Sequence, residues 1–230
     1  MDERSRIRAE YERRAGDARL QARYSRFNTA HLFLTQSRER DLLRTLKRHN
    51  LHDLSEYAIL DVGCGAGDGL LSLAGYGAQP RQTFGLDLMP DRLRRARSLH
   101  PGFGLAQADG GALPFPPARF DLVLQFTLFT SILDEGFKGR IAGEMLRVLK
   151  PGGAIIWYDF WADNPRNPEV KGIKPAEIKA LFPGCACHLR RTTLAPPLAR
   201  RLVPRSWLLA EFLAHIPWVL THYLAVIQKK

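Results

Sequence analysis

Four glycines fall within seven positions directly after a short apolar run, in the stretch Ile59 to Gly69, I-L-D-V-G-C-G-A-G-D-G. Glycine has no Cβ, so it adopts positive φ angles and lets a ligand approach the backbone closely. The spacing departs from the dinucleotide fingerprint G-x-G-x-x-G because Asp68 takes its third glycine position, and no Gly-Lys-Ser/Thr follows to complete a P-loop. Acids beside the turn would also repel a pyrophosphate. The turn is therefore predicted to hold a nucleoside that lacks phosphates.

Two further acids follow the next two apolar runs. Asp87 ends T-F-G-L-D, at about the 20-residue distance from the turn where an acid can accept hydrogen bonds from both hydroxyls of a ribose. Asp109, in A-Q-A-D-G, could accept a hydrogen bond from an exocyclic amine. A glycine turn with acids at two successive strand ends indicates a nucleoside cofactor far more strongly than the turn alone.

Apolar runs and amphipathic segments alternate from about residue 58 to residue 158, and this alternation predicts the elements that position the acids. It is typical of an α/β fold, a parallel sheet with helices on both faces, in which ligands bind at the carboxyl ends of the strands. A further helix is predicted over 38–48, with Ser37 as its N-cap. The predicted strands are 58–62, 83–88, 104–108, 120–126 and 154–158, and the predicted helices among them lie near 69–73, 90–98 and 141–149.

The motifs D-V-G-C-G-A-G-D-G, G-L-D-L, A-D-G-G-A-L-P-F and E-M-L-R-V-L-K-P-G-G together resemble class I S-adenosylmethionine-dependent methyltransferases. The resemblance is strongest to the small-molecule branch called methyltransferase type 11, and it covers about residues 56–160. It implies an enzyme that uses S-adenosyl-L-methionine and releases S-adenosyl-L-homocysteine. It also implies a Rossmann-like, seven-stranded sheet that ends in an antiparallel pair, here about 186–194 and 222–228.

The resemblance also implies cofactor contacts. The glycine turn would line the methionine part, Asp87 the ribose and Asp109 the adenine edge, while Gln125 and Phe126 would lie beneath the sulfonium. Arg38 or Arg40 is a candidate partner for the cofactor's carboxylate, because guanidinium groups match carboxylates in geometry. The complete set of predicted cofactor-binding residues is Asp61, Gly63, Cys64, Gly65, Asp87, Leu88, Met89, Asp109, Gly110, Gln125, Phe126 and Arg38.

Methyl transfer from a sulfonium requires alignment of the acceptor and, for a hydroxyl, removal of its proton. Asp159, in W-Y-D-F after the fifth strand, is the first candidate for the base, and Asp163 and His31 follow. Each has a structural alternative: Asp159 could cap the next loop, and His31 shares a helical stripe with Tyr24. No residue is assigned to a metal, and a divalent ion held by acids stays an open alternative.

The flanking regions predict caps on the core. Residues 1–50 are predicted to form a helical lid, 51–160 the cofactor-binding core, and 161–230 the rest of the sheet with a helical insertion at 195–218. The loop W-A-D-N-P-R-N-P offers Asn164, Arg166 and Asn167 to a polyhydroxylated ligand. The leading hypothesis is therefore O-methylation of a sugar or similar hydroxylated small molecule in glycan or natural-product biosynthesis.

Two alternatives stay open: C- or N-methylation of a quinone-like or lipid-associated substrate, and a basic nucleic-acid-binding protein. The chain has 230 residues and a net charge of +11. Residues 1–50 carry 13 basic and 7 acidic side chains, residues 161–230 carry 11 and 4, and the middle is close to neutral. However, the fourth strand lacks the Asn/Asp-Pro-Pro-aromatic set of enzymes that methylate nucleic-acid bases, which argues against that acceptor.

The basic ends leave the partner open between an acidic substrate and an anionic membrane surface. Three arginines precede an apolar helical face within the 195–218 insertion, which is consistent with peripheral membrane contact or with a homodimer surface. Three cysteines without a disulfide framework and a highly charged N-terminus predict a cytoplasmic protein.

Overall fold

The computed structural model describes residues 2–165 and 167–229. A role in sugar binding considered for Arg166 therefore lies outside the described residues. The strands are β1 (Ile59–Val62), β2 (Thr83–Asp87), β3 (Gly104–Gln107), β4 (Phe120–Phe126), β5 (Leu149–Phe160), β6 (Ala186–Leu194) and β7 (Leu220–Gln228). The helices are α1 (Glu3–Ala15), α2 (Ala18–Arg23), α3 (Thr29–Arg48), α4 (Asp68–Ala74), α5 (Pro90–Leu99), α6 (Glu135–Val148), α7 (Pro175–Leu181), α8 (Pro196–Leu202) and α9 (Trp207–Leu213).

All seven strands form one sheet in the order β3-β2-β1-β4-β5-β7-β6. The pairs among β1 to β5 are parallel, and β7 lies antiparallel between β5 and β6. The α/β prediction with a C-terminal antiparallel pair is confirmed. Because β1 and β4 are neighbours while the chain runs outward from them in both directions, strand order reverses between these two strands, where such sheets bind ligands.

Helices cover both faces of the sheet. One core cluster packs α6 and α7 against it through residues such as Ile141 and Ile178, and the cluster on the opposite face includes Leu42 and Leu46 of α3. A third cluster joins the beginning of α3 to α8 and α9, with the Phe33 and Trp207 rings 5.1 Å apart. The beginning of α3 and the C-terminal insertion therefore pack together.

Two predicted boundaries are wrong. The helix predicted to begin at Ser37 begins at Thr29, because the Asn28 side chain accepts hydrogen bonds from the backbone N–H groups of Ala30 and His31 and so caps it. Ser37 is buried in the middle of that helix. The fifth strand also begins earlier than predicted: β5 includes the P-G-G turn, and its register against β4 shifts between Phe120 and Leu122.

No helix among residues 2–165 and 167–229 is long and apolar enough to cross a membrane.

A substitution at Gly85 in β2 would test how closely this strand approaches the glycine turn. A Cβ at this position would lie 2.8 Å from Cys64 Sγ and 2.8 Å from Leu70 Cδ1. Because these atoms are buried, we expect Gly85→Ala to lower the free energy of unfolding by about 1–3 kcal/mol, measured by urea denaturation. Gly143→Ala is the matched control: Gly143 lies at an exposed position of α6, and its Cβ would meet nothing within 4 Å. That substitution should instead stabilise the protein by roughly 0.5–1 kcal/mol, since alanine favours helix interiors.

Candidate cofactor and acceptor site

The turn between β1 and α4 requires glycine at alternate positions. Gly63, Gly65 and Gly67 have φ angles of 78°, 57° and 85°, a region that side chains with a Cβ rarely adopt. The backbone N–H groups of Gly63 and Cys64 both donate to the Leu86 carbonyl, at 2.8 and 2.9 Å. The turn is thereby held against the end of β2.

Asp87, the acid at the end of β2, is tied to this turn. Its Oδ2 accepts from Gly65 N–H at 2.8 Å, and its Oδ1 accepts from Met89 N–H at 2.8 Å. A carboxylate has about four acceptor positions, so these two bonds leave capacity for a ligand's hydroxyls. Arg92 of α5, which the sequence did not single out, brings its guanidinium to 3.7 Å from Oδ2.

Asp109 lies beyond β3 on the same cavity. Its Oδ1 accepts from Gly111 N–H at 2.8 Å, and its Oδ2 pairs with Arg4 of α1 at 2.6 Å. The cavity brings together five predicted cofactor residues from three strand ends, and side chains of α1 and α6 line its other side. The predicted residues that line it are Gly63, Asp87, Leu88, Asp109 and Gly110.

The helix α1 covers this cavity. Ile7 and Tyr11 line it, and its volume is about 60 Å³, room for a few water molecules but not for a nucleoside. Contacts near its first turn hold the helix down: Glu3 accepts from Leu133 N–H at 2.6 Å, and Arg6 donates to the Ser131 carbonyl at 2.7 Å. Binding of a nucleoside therefore requires α1 to move. Sequence reasoning placed a lid here but did not identify Ile7 or Tyr11, which only the helix position reveals.

On the other side of the turn, Asp61 fits a cationic group. Its carboxylate is buried and its Oδ1 has no hydrogen-bond partner among the described residues. Burial, and then the charge of Asp87, raise the pKa of Asp61 to about 7. An ammonium or sulfonium nearby would satisfy this oxygen and favour its charged form.

Arg38 of α3 lies over the rings at the ends of β4 and β5. Its guanidinium carbon is 5.4 Å from the centre of the Phe126 ring and 5.8 Å from that of Tyr158. Its charge lowers the pKa of Asp61 against the larger effect of burial, which places the two groups in one electrostatic neighbourhood. An acid and an arginine on one side of the turn fit the ammonium and carboxylate of an amino acid. Arg40, the other candidate, pairs instead with Glu211 of α9 at 2.8 Å.

The structure separates Gln125 from Phe126, which were predicted to lie together beneath the sulfonium. Successive strand residues face opposite sides of a sheet. Phe126 points toward α3 and α4, whereas Gln125 is fully buried on the other face, and its Oε1 accepts from Leu128 N–H at 3.0 Å. The Oε1 atom holds the turn after β4, while Nε2 is buried and has no hydrogen-bond partner among the described residues, so contact of Gln125 with the cofactor stays a prediction. The Cys64 side chain likewise packs into a core cluster with Leu70, so only its backbone belongs to the turn.

The geometry does not support Asp159 as the base. Its carboxylate is buried and accepts four hydrogen bonds: from Phe129 N–H (2.9 Å), Thr130 N–H (3.2 Å), Thr130 Oγ1 (2.7 Å) and Phe160 N–H (2.9 Å). Burial raises its pKa to about 6, and these bonds oppose the rise. With both oxygens occupied by its own surroundings, Asp159 fastens the turn after β4, a structural role different from the capping of the next loop that the sequence left open.

The other two candidates differ in position. Asp163 lies in the exposed loop after β5, where it accepts from Gly172 N–H at 2.8 Å and lies 3.6 Å from Lys174, so its catalytic role stays a prediction. His31 is half-buried near the beginning of α3, with the Tyr24 ring edge-on to it at 5.7 Å. Burial, and then the charge of Arg38, lower the pKa of His31 below 6.5, so the ring is neutral at pH 7.

Two strained threonines flank Tyr158, and no pattern in the sequence predicted them. Thr127 and Thr193 have φ angles of 58° and 63°, which β-branched residues adopt only under constraint. Thr127 N–H donates to the Tyr158 carbonyl at 2.7 Å, and the Thr193 and Tyr158 hydroxyls are 2.9 Å apart. The His222 ring stacks on Tyr158 at 4.7 Å, and burial lowers its pKa to about 3. Such strain is concentrated at functional sites.

Within the part of the chain that the structure describes, no group of three or more His, Cys, Asp or Glu side chains is arranged to hold a metal ion.

The fold and the cavity at its strand switch point define a class I S-adenosylmethionine-dependent methyltransferase fold. Residues 59–153 match the family model described as "Methyltransferase domain". Over this segment the chain is similar to methyltransferase domains, and that similarity implies S-adenosylmethionine as the cofactor. The glycine turn, the carboxylates of Asp87 and Asp109, and the unpartnered oxygen of Asp61 fit such a group.

Curated relatives match the same region. The chain is 33% identical over 138 residues to phthiotriol/phenolphthiotriol dimycocerosates methyltransferase of Mycobacterium leprae, covering 56% of this chain and 50% of that protein. It is 37% identical over 109 residues to fatty-acid O-methyltransferase of Mycolicibacterium smegmatis, covering 46% and 38%. It is 36% identical over 106 residues to 2-methyl-6-phytyl-1,4-hydroquinone methyltransferase of Synechocystis, covering 44% and 31%. The chain thus spans half or less of the length of these relatives.

Solved structures share the fold. A SAM-dependent methyltransferase from Archaeoglobus fulgidus superposes with a TM-score of 0.60 at 17% identity, covering 86% of this chain and 98% of that one. The YcgJ protein of Bacillus subtilis gives a TM-score of 0.58 at 18% identity, covering 81% and 97%.

Asp87 provides the test of the cofactor site. We expect Asp87→Asn to weaken S-adenosylhomocysteine binding at least tenfold in calorimetric titration, because an amide donates from one of its two positions and cannot accept from Gly65, Met89 and two ribose hydroxyls together. Asp91→Asn is the matched control: Asp91 is an exposed acid in the first turn of α5, and its carboxylate pairs only with Arg94 in the described structure. Equal affinity of the two variants would contradict the assignment.

Proposed function

We propose that this protein is an S-adenosylmethionine-dependent methyltransferase that O-methylates a hydroxyl group of a small molecule with an apolar portion. The proposal rests on two features. The first is the glycine turn with Asp87 and Asp109 around a cavity that α1 covers. The second is a neutral His31 close enough to Arg38 for its charge to act on it, with Arg38 lying over the Phe126 and Tyr158 rings. The first feature supports the cofactor and the second supports the acceptor chemistry.

The acceptor would lie between α3 and the ends of β4 and β5. The Phe126 and Tyr158 rings are 5.9 Å apart and edge-on, and His222 stacks beneath Tyr158. Aromatic faces of this kind pack well against rings and hydrocarbon chains. The relatives support an apolar portion, since their names refer to a fatty acid, a phytyl hydroquinone and phthiotriol dimycocerosates.

A sugar acceptor, the narrower hypothesis from the sequence, has less support. It depended on the loop after β5, where Asn167 Oδ1 accepts from Glu169 N–H and Asn167 N–H donates to the Asn164 carbonyl. Both bonds belong to turns within the loop. The Phe126 and Tyr158 rings, which face α3, are therefore a better guide to the choice of acceptors than this loop is.

The bound cofactor supplies an electrophilic methyl group. On our proposal, Arg38 and Asp61 orient the amino-acid end of the cofactor, Asp87 its ribose and Asp109 its base. His31, neutral because of its lowered pKa, would accept the proton of the acceptor hydroxyl as the oxygen forms its bond to the methyl carbon. The proton then leaves from the imidazolium to solvent, which the half-buried ring contacts.

The assay follows transfer of a labelled methyl group from S-adenosylmethionine to three matched acceptors: a long-chain hydroxylated lipid, a prenylated hydroquinone and an alkyl glycoside. We expect label on the oxygen of a lipid or hydroquinone and none with Asp87→Asn. Label on a ring carbon would instead establish C-methylation. If no acceptor is labelled while S-adenosylhomocysteine still binds, the acceptor class is wrong and the cofactor assignment stands.

His31 is tested by its pH dependence. Because its pKa is lowered, the base form persists as pH falls past 6.5 and is lost only below that value, so the acidic limb of kcat should lie below pH 6.5. His31→Asn should lower kcat by roughly 10²–10⁴-fold and abolish that limb. His52→Asn, an exposed histidine beyond the end of α3, is the control and should keep both. An unchanged limb in His31→Asn would assign the base elsewhere.

A further inference from the structure

Exposed apolar side chains are concentrated on the caps. On α9 and the turn after it, Leu208 is 82% exposed, Phe212 68% and Trp218 86%, and Phe27 before α3 is 99% exposed. Leu208 and Phe212 are four residues apart, so they share one side of α9, while Ala210 is buried on the opposite side against the cluster that joins α9 to α3. The outer side of α9 is apolar although folding within the chain does not bury it. We call Leu208, Leu209, Phe212 and Trp218 the cap patch.

The cap patch adjoins a strongly basic surface. Arg200 and Arg201 lie in α8 and Arg205 between α8 and α9, all exposed. Arg200 also lies close enough to Arg23 of the N-terminal cap for the charge of Arg23 to act on it. The acid Glu211 on α9 is already paired with Arg40. Apolar side chains edged by arginines, with the local acid neutralised, form a surface that complements negative charge.

We infer that the cap patch and its arginines dock the protein on an anionic lipid bilayer. Leucine, phenylalanine and tryptophan can enter the boundary between headgroups and acyl chains, while arginines at the edge contact lipid phosphates. A bilayer meets both requirements at once.

A second copy of the chain is disfavoured by charge. In a two-fold dimer the same surface meets itself, so the arginines near the cap patch would approach those of the partner with no acid between them. The net charge of +11 adds to this repulsion.

Co-sedimentation with vesicles tests the inference, without cofactor or acceptor, so its result is independent of the proposed activity. We expect the protein to pellet with vesicles of phosphatidylcholine plus phosphatidylglycerol and not with phosphatidylcholine alone. Leu208→Ser/Phe212→Ser and Arg201→Glu/Arg205→Glu should each reduce the partition coefficient by about tenfold or more.

Matched controls exclude general effects of charge and hydrophobicity. Leu71→Ser/Leu99→Ser removes exposed leucines outside the caps, and Arg48→Glu/Arg95→Glu makes the same change in net charge elsewhere. Both controls should bind vesicles within about twofold of the parent, and thermal unfolding should show every variant folded. The inference would be overturned if the partition coefficient fell as much in the control variants as in the cap variants.

Tryptophan fluorescence adds a readout of insertion. Trp157 is fully buried and Trp161 and Trp207 are partly buried, whereas Trp218 is exposed. Anionic vesicles with brominated acyl chains should quench the parent and quench Trp218→Phe far less, although that variant still pellets. The inference is overturned if the protein pellets equally with phosphatidylcholine vesicles that contain phosphatidylglycerol and with vesicles of phosphatidylcholine alone. It is also overturned by the absence of pelleting together with a dimer, seen by sedimentation velocity, that Leu208→Ser/Phe212→Ser dissociates, since a second copy would then cover the patch.

Discussion

Both oxygens of Asp87 accept hydrogen bonds from the backbone, and the geometry of the cofactor cavity depends on this carboxylate. One bond comes from Gly65 in the turn after β1 and the other from Met89 at the start of α5, so a single side chain holds two ligand-facing segments to the end of β2. Gly85 permits the close approach of β2 to Cys64 that these bonds need. Asp61, a neighbouring acid, lacks a partner for Oδ1, and its pKa is raised to about 7. The two carboxylates therefore differ in role. Asp87 holds the backbone around the cavity, whereas Asp61 has an oxygen with no partner among the described residues, which could interact with a positively charged group of a ligand.

Two helices near the carboxyl ends of the strands are held very differently: α1 covers the cavity, and α3 packs on the opposite face of the sheet. The helix α1 is held by the contacts of Glu3 and Arg6 with residues 131–133 and by the buried side chain of Ile7. Its other contacts are ion pairs such as Arg4–Asp109, which is partly exposed and contributes only about 0–1 kcal/mol. The helix α3 is anchored by Leu42 and Leu46 in the core and by a buried hydrogen bond that Thr192 of β6 donates to Asp41. Weak attachment suits the element that must move for a nucleoside to enter. Firm attachment suits the element that carries Arg38 and His31, whose positions matter for chemistry.

Local patterns in the sequence predicted the fold because they determine it locally: apolar runs become buried strands, and glycines at positive φ mark the turn. The acids at strand ends were predictable for the same reason, since parallel strands bring their carboxyl ends to one edge. What the sequence could not provide were relations between distant segments. Ile7 and Tyr11 line the cavity only because α1 lies across it, and four donors from two segments occupy Asp159. Gln125 and Phe126 are adjacent in sequence, yet side chains alternate along a strand, so the two lie on opposite faces of the sheet. The motif resemblance, which placed both beneath the sulfonium, did not take this alternation into account.

Burial is the reason that our proposal assigns the base to His31 and not to Asp159. A carboxylate that already accepts four hydrogen bonds must break some of them to reach a substrate proton, and the energy released by taking that proton falls accordingly. A neutral imidazole has one nitrogen that can accept a proton, and the lowered pKa of the half-buried His31 keeps the ring in this neutral form at pH 7. Its place near the beginning of α3 also matters, because this part of the helix packs against α8 and α9. An apolar acceptor arriving from a lipid surface bound at the cap patch would meet the basic and aromatic side chains of α3 before it reached the end of the sheet.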